Sequence, residues 1–383
     1  MRYGLARDSS ALKILALRLR ARHERLYIDI PGRFAQKNTR DADAVFGAVK
    51  EAATRAAEAF RWRPFPRARL AVRMHFFTEH AEIPAIHHLV KGYLDPLEGP
   101  VFKNDRQVAH LVAACWKPPV PFGNKAREDR NKVYITVERL ADCVKEFDLW
   151  QTLTEHPQFR EHDRWSRRDD EDDRERYRSP RDWAETERIL DSFGIEGEPR
   201  EQWRRMNLIE FQNGLLAGNR IGPMDRPGGA PKRLLMIPDL WKRQAHPLLF
   251  SIDLRGLPAR GESKEFKAHV RAQVRAVRER WGERARFILP VELDIQVPEQ
   301  PGVPTDLDNI VRGYIAPALA GELLRESEGY VHGYRVYRVR HAPDDRAISV
   351  RIMPQGAIQR FEESVDKTLE AGREWLDDAL RGY

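Results

Sequence analysis

Residues His88–Pro96 read HLVKGYLDP, and residues Asn309–Pro317 read NIVRGYIAP. Both contain Val-(Lys/Arg)-Gly-Tyr and close on a proline, at an offset of 309 − 88 = 221 residues. Upstream of each lies an alternating stretch, ARLAVRMHFF around Val72–Phe76 and LPVELDIQV around Leu293–Val297. Period-2 alternation of this kind predicts a half-buried strand. Before each strand comes a helical pattern, DADAVFGAVKEAATRAAEAF ending at Phe60 and SKEFKAHVRAQVRAVRERW ending at Trp281, with apolar residues at three- and four-residue spacing. From Phe60 and Trp281 to the motif the offset stays at 221. Further out, LYIDIPGR from Leu26 echoes FSIDLRGL from Phe250, matching Ile28-Asp29-Ile30 to Ile252-Asp253-Leu254. VYITVE from Val133 and ISVRIM from Ile348 are the closing strands, each followed by an amphipathic helix.

Five elements repeated in one order predict a duplicated α/β domain. The expected division is a first copy in residues 1–150, an insertion in 151–245 and a second copy in 246–383. Within the insertion, residues 160–182 form a run of both charge signs with almost no apolar residues, which reads as a solvated linker or exposed helix. Helical periodicity returns over 183–216, and 216–233 is a Gly/Pro-rich loop. The Arg-rich stretch 11–22 runs straight into the first strand and reads as a folded extension of the first domain.

Composition narrows the partners. The 383 residues carry 66 Lys+Arg against 59 Asp+Glu, a net charge of +7, while 41% hydrophobic content is ample for folded cores. Mean hydropathy is −0.64. No apolar run reaches the roughly 20 residues that span a bilayer, so no membrane partner is expected. Two cysteines, Cys115 and Cys143, exclude a disulfide framework and a four-thiolate zinc site, and point to a reducing, cytoplasmic setting.

The chemistry sits in TDLDNIVRGYIAPAL, Thr305–Leu319. In an extended segment Asp306 and Asp308 project to one side and can hold a hard cation such as Mg²⁺. A helix cap with an exposed neighbour explains the same spacing equally well. Asn309 is a candidate cap, and Arg312, one turn on, can place a positive charge near a scissile phosphate.

A strand, then Asp-Leu-Asp-Asn, then a helix with an early basic residue resembles the RusA family of Holliday-junction resolvases. In the first copy Asn104-Asp105-Arg106-Gln107-Val108 resembles that family's Asp-Asp-x-Gln-Val strand entry. The resemblance implies an α/β homodimer that cuts four-way DNA junctions with Mg²⁺, using three aspartates and a lysine within each subunit. Two tandem copies in one chain would then form an intramolecular pseudo-dimer.

Carried over residue by residue, the resemblance gives an unequal pair. The second copy keeps Asp306 and Asp308, has Arg312 for the lysine, and has Glu326 at the third acidic position with Glu328 two further on. The first copy has Lys91 and Asp105 but Ala85 and His87 in place of the aspartates, with His88 for the asparagine. The expected centre is therefore Asp306, Asp308 and a glutamate of the second copy, with Mg²⁺ or Mn²⁺. A composite centre joining Asp105 to Asp306 and Asp308 is a further reading, and it needs these carboxylates within about 5 Å of one another. His75, His80, His87 and His88 make a zinc or manganese site conceivable, although loss of the original ligands explains them better.

For DNA contact the candidates are Arg61, Arg63 and Arg67 in FRWRPFPRAR, Lys91, Lys267, Arg271, Arg275 and Arg278 along one helix face, and Arg335 and Arg338 in YRVYRVRH. Three functions follow as expectations: a metal-dependent endonuclease for branched DNA, a DNA-binding protein that has lost catalysis, or an assembly scaffold. A protein partner could engage the 151–245 insertion.

Overall fold

The computed structural model describes residues 9–20, 24–32, 34–36, 39–64, 68–78, 85–116, 131–157, 159, 183–217, 248–258, 262–299, 306–325, 329–339 and 346–381. The strands are β1 (Arg25–Pro31), β2 (Leu70–Phe77), β3 (Val108–Trp116), β4 (Lys132–Arg139), β5 (Leu249–Asp253), β6 (Val291–Pro298), β7 (Val331–Val339) and β8 (Ala347–Pro354). Between them run helices α1 (Ser9–Arg20), α2 (Ala42–Ala59), α3 (Ile86–Leu94), α4 (Leu140–Glu155), α5 (Trp183–Ser192), α6 (Gly197–Ala217) and α7 (Lys264–Trp281). Helix α8 begins at Leu307–Ile310, widens to a π turn over Val311–Ile315 and ends as Ala316–Glu322; α9 is Ala357–Arg381. Pro317 has no N–H to give the carbonyl four residues back, which accounts for the π turn at that point.

All eight strands make one mixed sheet in the order β1-β4-β2-β3-β7-β6-β8-β5. From the antiparallel β3–β7 seam outward, each side meets a parallel neighbour, then an antiparallel one, then an antiparallel edge strand. The irregularity between Leu70 and Ala71 recurs 221 residues later between Val291 and Glu292. Across it Val108 and Val331 take the same place, so the offset becomes 331 − 108 = 223. At the seam Val112 pairs with Arg335, again 223 apart, and is the middle pair of five.

The motif tyrosines act alike in both halves. Tyr93 Oη accepts from Ala35 N at 3.4 Å and Tyr314 Oη from Ser263 N at 3.3 Å. Phe46 meets Tyr93 edge-on at 5.7 Å, and Phe266 meets Tyr314 edge-on at 4.8 Å. Gly92 is required here, because a Cβ would stand 2.3 Å from the Phe46 ring.

One correction concerns the first strands. Met74 and its counterpart Ile295 pair with Ile135 and Val350, which pair onward with Ile28 and Phe250. Phe250, not Ile252, is thus the counterpart of Ile28. A two-residue slip keeps every side chain on its own face, so alternation alone does not reveal it.

Helices cover both faces. Val49 and Ala53 of α2, Leu89 and Val90 of α3, Val270 and Val274 of α7, and Leu307, Ile310 and Leu319 of α8 share one apolar cluster with strand residues of both halves. On the other face Phe147 of α4 packs with Phe361, Val365 and Leu369 of α9, and α1 joins through Leu15 and Leu19. Helix α1 therefore packs on the C-terminal helix as well, with Arg373 Nε donating to Leu19 O at 3.4 Å, and is not an extension of the first domain alone. Each fully buried aliphatic side chain contributes about 1.5–3 kcal/mol. The helices expected in 183–216 are present as α5 and α6, whereas the charge run 160–182 lies outside the described residues. Among the described residues no helix is long and apolar enough to cross a membrane.

Candidate functional site

Asp306 is the N-cap of α8, extended at φ −66° and ψ 146°, and Asp308 follows in the first turn. The cap is Asp306 rather than Asn309, but its carboxylate caps nothing. Asn309 Nδ2 instead donates to Asp306 Oδ2 at 3.1 Å. Asp308 is only 3% exposed.

Helix α3 of the first half packs against α8 and brings Lys91 to this pair. Its ammonium donates to Asp105 Oδ2 at 2.9 Å and lies 3.0 Å from Asp95 Oδ1 and 3.6 Å from Asp308 Oδ2. Asp105 is held by the turn that opens β3. There Asn104 Oδ1 accepts from Arg106 N at 2.8 Å, while Gln107 Oε1 accepts from Asn104 N at 3.2 Å. Gln107 Nε2 in turn donates to Ala68 O at 3.0 Å. This capping box fixes the turn that carries Asp105.

Asp105, Asp306 and Asp308 offer oxygens that all lie within 4.8 Å of one another. This carboxylate cluster draws on both halves and meets the distance that the composite reading requires. Glu326 and Glu328 lie outside the described residues; by the 223 offset, Glu328 is the sequence counterpart of Asp105. Lys91, expected on a DNA surface, belongs to this centre. Asp95 was missed, although its spacing of four from Lys91 on a helix was a visible signal.

Burial pushes the Asp308 carboxyl up to about 6, with Asp105 and Asp306 adding to the shift against the pull of Lys91. Asp306 is raised as well, first by burial and then by Asp105. Burial works to lower the Lys91 ammonium, but Asp308, Asp105 and Asp95 outweigh it and hold it above its ordinary value. Lys91 and, at the rim, Arg106 are the cations that pair with these carboxylates. Asp306 Oδ1 and Asp308 Oδ2 are buried without a hydrogen-bond donor among the described residues, their ion-pair partners Arg106 and Lys91 standing off at 3.8 and 3.6 Å. Such orphaned oxygens fit a hard divalent cation, which takes oxygen ligands.

A pH dependence follows. Asp308 must give up its proton to act as a ligand, so Mn²⁺ should bind about tenfold more tightly at pH 7 than at pH 5, with proton release on binding at the lower pH. The metal-free protein responds in the opposite sense. A carboxyl raised in the folded state favours folding below its unfolded value, and that contribution is lost as pH rises through about 6. Calorimetric titration at the two pH values checks the first point; an affinity independent of pH would exclude Asp308 as a ligand.

Cations surround the carboxylates. Arg106 Nε lies 3.8 Å from Asp306 Oδ1 and is half exposed. Arg338, at the end of β7, is pulled down by burial and by Arg69, and up by Asp306. Arg312 reaches Asn309 Oδ1 at 3.5 Å and Glu262 at 3.9 Å.

The other expected DNA contacts divide. Arg61 and Arg63 are exposed, while Arg67 lies outside the described residues. Lys267 pairs with Glu262. Arg271, Arg275 and Arg278 converge on the buried Glu322 at 2.9, 3.0 and 3.0 Å, so they fasten α7 to the end of α8. Arg335 is buried on the opposite sheet face and donates to Asp294 at 2.8 Å, which removes it from any DNA surface. Of the histidines, His75 pairs with Glu362 at 2.6 Å, His87 and His88 stand in the first turn of α3, and His80 lies outside the described residues. Compared with protein-family models and with curated proteins, the chain matches none.

Proposed function

We propose that the chain is a divalent-cation-dependent DNA endonuclease acting on branched DNA, built as a RusA-like pseudo-dimer from two fused and diverged copies. The observation that carries this reading is the convergence of Asp105, Asp306, Asp308 and Lys91 from both halves into one half-buried centre. Repeated strand order, the matching irregularities and the paired tyrosines support the duplication.

Asp105, Asp306 and Asp308 would hold Mg²⁺ or Mn²⁺. Such an ion, when bound, activates water and stabilises the leaving oxygen of a phosphodiester. In hydrolysis the water oxygen bonds to phosphorus as the bond to one sugar oxygen breaks. Water gives up one proton and the leaving oxygen gains one. Lys91, kept charged by its carboxylate neighbours, supplies a fixed positive charge next to the reacting group rather than a ready proton. Arg106 and Arg338 form a cationic rim suited to the flanking phosphates. A deoxyribose backbone and a branch point come from the family resemblance alone.

The test is incubation of labelled four-way junction, flap and duplex DNA with Mg²⁺ or Mn²⁺, beside Asp306→Asn/Asp308→Asn. The expected result is metal-dependent cutting of branched DNA that the double variant lacks. Salt-sensitive binding without cutting, equal in both proteins, would instead support the reading in which catalysis has been lost.

A further inference from the structure

Helices α3 and α8 exchange contacts in both directions. Lys91 of α3 faces Asp308 of α8. In the sequence relation that joins the halves, the counterparts of Asp306, Asp308 and Lys91 are Ala85, His87 and Arg312. The reciprocal side is present too: α3 packs on the π turn of α8 that carries Arg312, whose charge acts on His87 and His88. This is the pattern of a two-fold interface, in which residue i meets j and j meets i.

The second locus has the opposite chemistry. Ala85, the N-cap of α3, offers no side-chain oxygen, and the two places held by aspartates in the first locus carry none here. His87 is 8% exposed, and its Nδ1 is buried without a hydrogen-bond partner. The Nε of Arg312 is buried and unpartnered as well. The His88 ring lies tilted against that of His87, with centroids 4.1 Å apart. Glu262 stands 3.9 Å from Arg312, an ion pair beyond hydrogen-bond range, and is also engaged by Lys267. Burial, then His88 and Arg312, hold the His87 imidazole down to about 3 and thus neutral. Arg312 is left as the charge of a locus with unpaired polar groups and a first turn of a nine-residue helix that no side chain caps among the described residues, an arrangement that favours an anion.

We propose that this second locus binds a phosphate of the DNA backbone without cutting it, so that the protein grips two strands of one branched substrate and incises one. This rests on the nuclease reading above. It explains why Arg312 stands where the other half has lysine: bidentate phosphate binding suits a guanidinium.

The experiment is fluorescence anisotropy of a labelled four-way junction with Ca²⁺ replacing Mg²⁺, at several salt concentrations, for the wild-type chain, Arg312→Glu and Arg312→Gln. Thermal melts confirm that each variant is folded, and Arg312→Gln serves if Arg312→Glu is not. Arg312→Glu should bind about tenfold or more weakly than wild type, Arg312→Gln more weakly than wild type but by a smaller factor, and the salt slope should fall by about one. Wild-type affinity and slope in the folded variants would overturn the proposal while leaving the nuclease reading intact. A wild-type chain that binds no DNA would overturn both. With Mg²⁺, a supercoiled plasmid bearing a cruciform should give nicked circles; linear product from a single binding event would also contradict the proposal.

Discussion

Asp105→Asn should cut branched DNA roughly a thousandfold more slowly than the wild-type chain, a loss of about 4 kcal/mol in transition-state stabilisation. Asparagine keeps the shape of the side chain and leaves the Asn104–Gln107 turn intact. What it removes is one negative oxygen from a centre whose three carboxylates lie within 4.8 Å. It also takes a charged partner from Lys91, which then turns further toward Asp95 and Asp308. Because Asp105 is at the rim and not in the core, the melting temperature should stay within a few degrees of wild type. The comparison is made on the labelled junction under single-turnover conditions. Cleavage equal to wild type would mean that the first half does not contribute to the centre.

Asp294→Ala should destabilise the fold by about 3–5 kcal/mol, because it leaves the Arg335 guanidinium buried and unpaired. Arg335 and Asp294 are 2% and 3% exposed and meet at 2.8 Å. Arg335 is in the central pair of the β3–β7 seam and lies over the rings of Tyr337 and Phe361 at 5.3 and 5.1 Å. The strand packing is tight beside it, since a Cβ on Gly333 would stand 2.9 Å from the Ala114 Cβ. Replacing both partners, Asp294→Ala with Arg335→Met, should recover most of the loss, as an apolar pair of similar volume has no charge to desolvate. Urea unfolding of the two variants measures this. A loss below about 1 kcal/mol in the single variant would show that Glu362, which also acts on Arg335, suffices to neutralise it.

The local pattern carried the elements well. Helix periodicity and strand alternation located β2, β6, α2 and α7, and the motif located α3 and the first turn of α8. Register was less legible: Ile28 matches Ile252 in the letters but Phe250 in the sheet, because a slip of two preserves the face. Alternation also misled in YRVYRVRH. Basic and aromatic residues alternating on a strand read as an exposed edge, yet helices cover both faces of this sheet, so Arg335 is buried with Asp294. Likewise the arginines of α7 look like a phosphate track until Glu322, about two turns past the π segment of α8, gathers them. Asp306 and Asp308 stood out by spacing, but their union with Asp105 and Lys91 depends on which strands meet at the seam. Contacts between residues about 200 positions apart leave no local trace in a single sequence. The distance between these carboxylates had to come from the fold.

The most direct test of a centre shared by the two halves is anomalous diffraction from crystals of the full chain soaked in MnCl₂. One manganese peak bonded to Asp105, Asp306 and Asp308 together, and absent from Asp105→Asn crystals, is the predicted result. A peak bound by Asp306 and Asp308 without Asp105, or no peak at any of the three, would contradict it.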